Sequence, residues 1–189
     1  MIYLVRHGET DWNLFKRFNG NTDVYLNKTG IAQAKALAEE LKDVRFDVAY
    51  CSPLTRARQF CEIIHGGSIV FDNRLAEIDC GEFESREETA ETLQSFWKAI
   101  QTGDVGTERI DAFINRTCEV CDVIAKNDKS KNILIVTHAA NVRVINYYFK
   151  GKPSNYDFTK TIMGKGEYIT LDKLRSDSYP KIHRAAGTD

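Results

Sequence analysis

Two basic side chains stand together where the first apolar run of the chain ends. Residues 2–5 are Ile, Tyr, Leu and Val, and Arg6 and His7 follow at once. Open α/β sheets bind their ligands beyond the carboxyl ends of the strands. Arginine is a rigid, permanently charged partner for phosphate oxygens, and histidine serves as a nucleophile or proton carrier near neutral pH. The pair therefore indicates an enzyme that acts on phosphate esters.

A second histidine follows another apolar run. Residues 133–136 are the most β-like stretch of the chain, and His138 comes just after them. Arg56 lies one turn into a helix predicted after a strand over 47–51, where the N-terminus of the helix adds partial positive charge. If the two histidine-bearing strands are neighbours in a parallel sheet, both imidazoles face one pocket for an anion.

The apolar pattern predicts strands that alternate with helices, which is typical of a parallel or mixed α/β sheet. Strands are expected over 2–5, 47–51, 68–71, 132–137 and 167–172, and helices over 30–42, 53–65, 107–126 and 139–149. We therefore expect an α/β fold, a three-layer α/β/α sandwich with a central, mostly parallel sheet and a small helical cap insertion. A single domain over 1–189 accounts for the length.

Two local signals predict where helices begin. Ser52-Pro53 is typical of an N-cap residue followed by proline at the first helical position. Ser85-x-x-Glu88 has the pattern of a capping box. It predicts a helix within the insertion, at about 84–106, that carries apolar residues on one side: Leu93, Phe96, Trp97 and Ile100.

The composition argues against several classes of protein. The 189 residues carry 26 basic and 27 acidic side chains, and this balance indicates neither a nucleic-acid nor an anionic-membrane partner. No signal peptide and no run long enough to span a membrane is visible. The five cysteines, an odd number, fit a reducing cytosol better than a disulfide scaffold. We therefore expect a cytoplasmic protein, and the oligomeric state stays open.

The sequence predicts no metal site and no cofactor. The four histidines lie at positions 7, 65, 138 and 183, without the spacing of metal ligands. Cys118 and Cys121 form a Cys-x-x-Cys pair inside a predicted helix, but no second ligand pair lies nearby. We therefore expect two buried helix cysteines rather than a zinc or redox site.

Five motifs follow one another along the first 150 residues. They are Arg6-His7-Gly8-Glu9-Thr10 with Asn13, Arg17-x-x-Gly20-x-x-Asp23-x-x-Leu26-x-x-x-Gly30, Ser52-Pro53-Leu54-x-Arg56-Ala57-x-Gln59, Leu75-x-Glu77-x-x-x-Gly81-x-x-Glu84 and Val136-Thr137-His138. In this order they resemble the motifs of the histidine phosphatase superfamily, the phosphoglycerate-mutase-like family. The resemblance implies a phosphoglycerate-mutase-like fold and phosphoryl-transfer chemistry.

The resemblance also implies roles for individual residues. His7 matches the nucleophile that becomes phosphohistidine, and Glu77 matches the acid that protonates the leaving oxygen. Because Asp79, Glu82 and Glu84 crowd the same loop, Glu82 is the second choice for the acid. Other positions match phosphate or substrate contacts: Arg6, Asn13, Asn19, Gly20, Arg56, His138 and Ala139.

The chemistry of phosphate esters favours these residue types independently. Hydrolysis of a monoester needs up to ~10²¹-fold acceleration, because the dianion repels nucleophiles and an alkoxide leaves badly. Arginines offset the first difficulty, and a protonated carboxylic acid addresses the second. Nearby arginines should keep His7 neutral, and a backbone carbonyl near Gly8 should hold its other ring nitrogen. Ala139-Ala140 stand where the family often has Gly-Gly, so extra methyl groups narrow the pocket floor.

The length of the insertion favours a phosphatase over a mutase. The resemblance implies that mutases of this family are longer chains, whose insertion carries an adjacent pair of arginines for the substrate carboxylate. Here Arg86 and Arg109 are far apart in sequence. We therefore predict a phosphomonoester hydrolase for a small phosphorylated metabolite, with a cofactor-dependent phosphoglycerate mutase as the alternative. A non-catalytic phospho-ligand-binding regulatory module is the alternative of a different class. Phe96 and Trp97 either line the leaving-group side or pack in the core.

Overall fold

The computed structural model describes residues 1–127, 132–151 and 162–172. Within these ranges the chain forms one five-stranded sheet. Its strands are β1 (Ile2–Arg6), β2 (Val48–Cys51), β3 (Ile69–Phe71), β4 (Ile133–Thr137) and β5 (Tyr168–Leu171). Their order across the sheet is β3-β2-β4-β1-β5. Only β5 runs antiparallel to its neighbour, which confirms the mostly parallel sheet.

The two strands that precede the histidines are neighbours. β1 pairs with β4 in parallel, and the register places Arg6 beside Thr137. All five residues of β4 are buried, as expected for a strand covered on both faces by helices. The helices are α1 (Asp11–Leu14), α2 (Lys28–Glu40), α3 (Thr55–Ile64), α4 (Ala90–Thr102), α5 (Ile110–Asn127) and α6 (Ala139–Lys150).

Alternating side chains of the strands build two cores, one on each face of the sheet. Ile133 and Ile135 pack with residues of α5 and α6, whereas Leu134 and Val136 pack with residues of α2 and α3. This arrangement confirms the three-layer sandwich. A third apolar cluster joins α4 of the insertion to α5 and α6, through Phe96, Phe113 and Val144 among others. No helix in the described ranges combines the length and apolarity that crossing a membrane requires.

The predicted start of the helix after β2 is wrong. Helix α3 begins at Thr55, and its N-cap residue Leu54 makes no side-chain hydrogen bond. Asp23 stabilises this helix end instead, because its carboxylate accepts from the backbone N–H and the hydroxyl of Thr55, both at 2.6 Å. Ser52 lies two residues before the N-cap position: its hydroxyl accepts from Leu54 N–H at 3.3 Å and also has a distant partner, described below.

The predicted capping box at Ser85 is also wrong. Ser85 has a φ of 65°, in the left-handed region, whereas the N-cap residue of an α-helix is typically extended. Helix α4 begins five residues later, and its capping box is formed by Thr89 and Thr92. The predicted helix over 30–42, in contrast, begins two residues earlier than expected, at Lys28. The side chain of its N-cap residue, Asn27, accepts a hydrogen bond from Gly30 N–H. Helix α1 interrupts a loop for which no helix was predicted.

Candidate active site

The pairing of β1 with β4 brings the two histidine rings together. The ring centroids of His7 and His138 are 5.0 Å apart, with an angle of 65° between the planes. The backbone N–H of His7 donates to the carbonyl of Thr137 at 3.0 Å, which extends the strand pairing to the histidine itself. His7 and His138 are 4% and 0% exposed as whole residues. The two imidazoles therefore lie side by side in the interior, at the carboxyl edge of the sheet.

The contacts of His7 define its tautomer. Nδ1 lies 2.7 Å from the carbonyl oxygen of Gly8, which can only accept, so Nδ1 carries the proton. Arg56 Nε donates to Nε2 at 3.3 Å, which requires a lone pair there. Burial lowers the pKa of His7 well below its usual range, and the charges of Arg56 and Arg6 lower it further. The carbonyl contact near Gly8 is confirmed, and burial has a larger effect on the pKa than the arginines.

Arg56 is fully buried in the first turn of α3 and is held by backbone carbonyls. Nη1 donates to Thr22 at 3.0 Å, and Nη2 donates to Gly20 at 2.6 Å and to Asn19 at 3.3 Å. Burial lowers its pKa to about 10, and the carboxylate of Glu77 is the largest opposing cause. The guanidinium is therefore charged and its plane is fixed, which are the properties needed to orient a phosphoryl group.

Glu84 holds the loop that supplies these carbonyls. Its carboxylate accepts from the backbone N–H groups of Gly20 at 3.2 Å, Asn21 at 2.8 Å and Cys80 at 3.4 Å. Any side chain on Gly20 would meet the carbonyl of Ile78, since its Cβ would lie 2.5 Å away. Gly20 thus gives its N–H to Glu84 and its carbonyl to Arg56. Gly20, for which a substrate contact was expected, is not among the residues that line the cavity described below.

His138 is the N-cap residue of α6, and its ring contacts the residue that was predicted to cap α3. Nε2 lies 2.7 Å from the hydroxyl of Ser52. Nδ1 is buried and has no hydrogen-bond partner among the described residues. Burial lowers the pKa of His138 well below its usual range, and Arg56 adds to this effect. Sequence reasoning missed Ser52 as a site residue because its partner lies 86 positions away.

Arg6 is held from the far end of the described chain. Its Nη1 donates to the carbonyl of Met163 at 3.0 Å, while its Nε is buried without a partner among the described residues. Burial lowers the pKa of Arg6, and Glu77 opposes this effect. Buried polar atoms without partners are rare. Among the described residues they are found on Arg6, Asn19, His138 and Asn141, and the first three are residues predicted to contact phosphate or substrate.

Arg6 also lines a cavity of about 410 Å³. Its polar lining consists of Arg6, Asn19, Glu77, Glu88 and Arg143, and its apolar lining consists of Phe18, Ile78, Cys80, Leu93, Phe96, Trp97, Ala139 and Ala140. Phe96 and Trp97 both line the cavity and both pack in the third cluster, and their place on the leaving-group side stays a prediction. Arg143 was not predicted, although it follows Ala139 by four residues on α6 and so shares its helix face.

Two of the candidate acids are clearly separated by the fold. Glu77 is 8% exposed and lines the cavity, where its carboxylate accepts from Ile78 N–H at 3.0 Å and Ala140 N–H at 3.3 Å. The Glu82 side chain is 67% exposed, lies 3.8 Å from Arg86 and is absent from the cavity lining. The geometry therefore favours Glu77 over Glu82.

The remaining predicted residues divide between the cavity and its surroundings, and His7, Arg56 and His138 are not among the residues that line this cavity. Asn19 and Ala139 line the cavity, and Asn19 Nδ2 donates to Thr10 Oγ1 at 3.2 Å. Asn13 does not line it. Its Oδ1 accepts from Thr10 N–H at 3.2 Å in the α1 capping box. In the described ranges, no three His, Cys, Asp or Glu side chains are grouped as a metal site would require.

Comparisons with known proteins identify the same family as the sequence motifs. The family model of the histidine phosphatase superfamily, branch 1, matches residues 2–172. The uncharacterized phosphatase PhoE of Bacillus subtilis is 33% identical over 150 residues, or 76% of this chain and 74% of that protein. The 2,3-bisphosphoglycerate-dependent phosphoglycerate mutase 2 of Gloeobacter violaceus is 30% identical over 160 residues, or 77% and 73%. The alpha-ribazole phosphatase of Shigella flexneri superposes with a TM-score of 0.77 at 26% identity, covering 88% of this chain and 87% of that chain. The chain belongs to branch 1 of the histidine phosphatase superfamily.

Proposed function

We propose that this protein is a phosphomonoester hydrolase that forms a phosphohistidine on His7. One observation carries the proposal. The Nε2 atom of His7 has a lone pair, because Nδ1–H is engaged by Gly8 at 2.7 Å, and it lies within 3.3 Å of the buried guanidinium of Arg56. A neutral nucleophile is thus placed beside a fixed positive charge, which is the combination that a phosphate dianion requires.

In the first step, Nε2 of His7 attacks phosphorus and the bond to the alcohol oxygen breaks. Glu77 gives its proton to the leaving oxygen. Arg6 and Arg56 neutralise the phosphoryl oxygens. If Ser52 donates its hydroxyl proton to Nε2 of His138, the proton of that ring is on Nδ1 and is available to a phosphoryl oxygen.

In the second step, water attacks the phosphohistidine and the Nε2–phosphorus bond breaks. The Glu77 carboxylate takes a proton from the water, so it returns to its starting state. Inorganic phosphate leaves, and His7 is again neutral. No residue of the chain is consumed. The five free cysteines lead us to place this reaction in the reducing cytosol.

A phosphoglycerate mutase is the second candidate. The relative from Gloeobacter violaceus carries that name at 30% identity, and Arg143 adds a cation to the cavity wall that could hold a carboxylate. A mutase returns the phosphoryl group to its substrate, whereas a hydrolase gives it to water. The two reactions share the first step and differ in the product.

Turnover of p-nitrophenyl phosphate, with and without EDTA, tests the hydrolase. We expect release of p-nitrophenol that EDTA does not stop, an acid-labile phosphoenzyme after rapid quenching, and loss of both in H7Q but not in H65Q. Saturable binding of phosphate esters without turnover would establish the binding module instead. Conversion of 3-phosphoglycerate to 2-phosphoglycerate, with a trace of 2,3-bisphosphoglycerate, in excess of phosphate release would establish the mutase.

A further inference from the structure

The loop that carries Glu77 is held through its backbone carbonyls by side chains from two other elements. The four consecutive carbonyls of residues 74–77 all accept hydrogen bonds from side chains. The hydroxyl of Thr137, at the end of β4, donates to the carbonyl of Leu75 at 2.7 Å, and Arg116 of α5 donates to the other three. Because irregular backbone must find its hydrogen-bond partners elsewhere in the protein, these two side chains determine the path of the loop.

Arg116 uses every N–H of its guanidinium in this region. An arginine has five such donors in a rigid plane. Nη1 donates to the carbonyls of Arg74 and Ala76, both at 2.8 Å. Nη2 donates to the carbonyl of Glu77 at 3.0 Å and to Oε2 of Glu108 at 2.8 Å. Nε donates to Oε1 of Glu108 at 2.6 Å. The five hydrogen bonds therefore match the full donor set of an arginine.

Glu108 extends this support to the far side of Glu77. Its carboxylate also accepts from the backbone N–H of Asp79 at 3.3 Å, and its own backbone N–H donates to the carbonyl of Asp79 at 3.0 Å. The side chains of Arg116 and Glu108 are 21% and 19% exposed, so solvent screens this pair less than a pair at the surface. The two side chains together hold the backbone before and after Glu77.

The position of the Glu77 carboxylate depends on this backbone path. The carboxylate accepts from the N–H groups of Ile78 and Ala140. Ala140 lies in the first turn of α6, where N–H groups have no partner within the helix. A shift of the loop would break the hydrogen bond to Ala140 and move the carboxyl group away from the leaving oxygen. A displacement of about 1 Å can cost about 10²-fold in rate.

We propose that Arg116, together with Glu108, is a positioning residue that holds Glu77 where it protonates the leaving oxygen. This inference rests on the proposed function and deepens it. Neither Arg116 nor Glu108 is among the residues that line the cavity. Their effect on the reaction is therefore transmitted by the loop of residues 74–79.

Rapid-quench measurement of phosphoenzyme formation tests this role, because the hydrolase and the mutase share that step. Glycerol 3-phosphate has an alkoxide leaving group that needs a proton, whereas the phenolate of p-nitrophenyl phosphate leaves without one. In R116Q we expect the rate with glycerol 3-phosphate to fall about 10- to 100-fold, and that with p-nitrophenyl phosphate to fall less than about threefold. R109Q is the matched control, since Arg109 forms two hydrogen bonds with Asp111 at the exposed start of α5. Both rates should be unchanged in R109Q.

R116K separates the position of the loop from the charge of Arg116. Burial is the main cause of the lowered pKa of His138, and the charge of Arg116 also contributes. A lysine keeps the charge but has three donors on one nitrogen instead of five in a plane. We therefore expect the selective loss with glycerol 3-phosphate to persist in R116K. Native rates in R116K would assign the effect to charge and overturn the positioning role.

E108Q removes part of the same hydrogen-bond set with a smaller change in packing, and it replaces R116Q if that variant does not fold. It should show the same selective loss. In the E77Q background, R116Q should cause less than about twofold further loss with glycerol 3-phosphate, because residues that act through one group are not additive.

An equal fall for both esters in the folded variants, or an undiminished further loss in the E77Q background, overturns the inference. Failure of the proposed function has a separate signature, which is that the native protein forms no phosphoenzyme from either ester.

Amide hydrogen exchange then still measures the position of the Glu77 carboxylate. In R116Q the N–H of Ala140 should exchange about tenfold faster or more relative to that of Ile135 in β4, which reports on opening of the core. In R109Q the ratio of the two exchange rates should equal the native ratio. A native ratio in R116Q overturns the inference whatever the catalytic activity.

Discussion

Nε of Arg56 donates a hydrogen bond to Nε2 of His7 at 3.3 Å, so an arginine donor occupies the lone pair of the proposed nucleophile. A phosphoryl oxygen that approaches His7 must take over this donor before Nε2 can attack phosphorus. The remaining contacts of the guanidinium, to three backbone carbonyls of residues 19–22, keep it in place during the exchange. Substrate binding and release of the nucleophile are therefore coupled through one side chain.

Replacement of Arg56 by lysine should remove this coupling while keeping a positive charge. A lysine cannot reproduce the planar set of donors, so we expect kcat/KM for p-nitrophenyl phosphate to fall about 10²- to 10³-fold, the usual cost of a lost electrostatic donor. R58Q changes an exposed arginine on the same helix, 3.4 Å from Glu62, and should retain activity. Circular dichroism identifies variants that remain folded. Equal activities in folded R56K and native protein would contradict the role of Arg56.

Glu77→Gln should have an effect that depends on the leaving group. The glutamine oxygen can still accept one backbone N–H, but the side chain can no longer donate a carboxylic proton. For an alkyl phosphate, we expect kcat to fall about 10²- to 10⁴-fold. For p-nitrophenyl phosphate, whose phenolate leaves without protonation, the loss should be much smaller. The same steady-state measurements on E82Q serve as the control. A leaving-group dependence in E82Q rather than E77Q would reassign the acid.

The two buried imidazoles should make the protein less stable as the pH falls. Both have a pKa well below the usual value in the folded state, so below about pH 6.5 they take up protons only when the chain unfolds. The free energy of unfolding should therefore decrease by up to about 1.4 kcal/mol per pH unit for each ring. Urea unfolding at pH 7.5, 6.5 and 5.5 measures this dependence.

In H7Q the pH dependence of the free energy of unfolding should be weaker by the contribution of one ring, whatever the stability of that variant at pH 7.5. The comparison of slopes therefore separates proton uptake from packing defects. A native protein whose unfolding free energy stays constant between pH 6.5 and 5.5 would show that both rings are already protonated in the fold.

Ser52→Ala should affect phosphate binding as well as stability. The substitution leaves Nε2 of His138 buried without its 2.7 Å partner, and an unsatisfied buried polar group costs about 1–3 kcal/mol. Without Ser52, the proton of the His138 ring is no longer kept on Nδ1, where it would be donated to a phosphoryl oxygen. Inorganic phosphate should therefore inhibit the variant less strongly. S68A, at an exposed serine, is the control. Loss of stability with an unchanged inhibition constant would assign Ser52 a structural role alone.

Sequence patterns predicted that the two histidines and Arg56 lie together, because each histidine follows the end of a strand and Arg56 begins the helix after a third strand. The side chains around them could not be predicted in the same way. Ser52 satisfies a local helix-start pattern, but the ring of His138 competes for its hydroxyl and is more than eighty residues distant. Glu84 was named only as a motif position and as a neighbour of the candidate acid, since its three backbone donors are brought together by the fold. Arg143 could have been found from the helical period of α6.

β1 lies far ahead of both of its partners in the chain, so these strands are translated much later. They are β4 at 133–137 and β5 at 168–171, and the Arg6 side chain also depends on the carbonyl of Met163. Such distant pairings form late because a long loop must close first. Until translation has passed residue 171, β1 lacks one of the two strands that flank it, so the structure around His7 is completed only after that point.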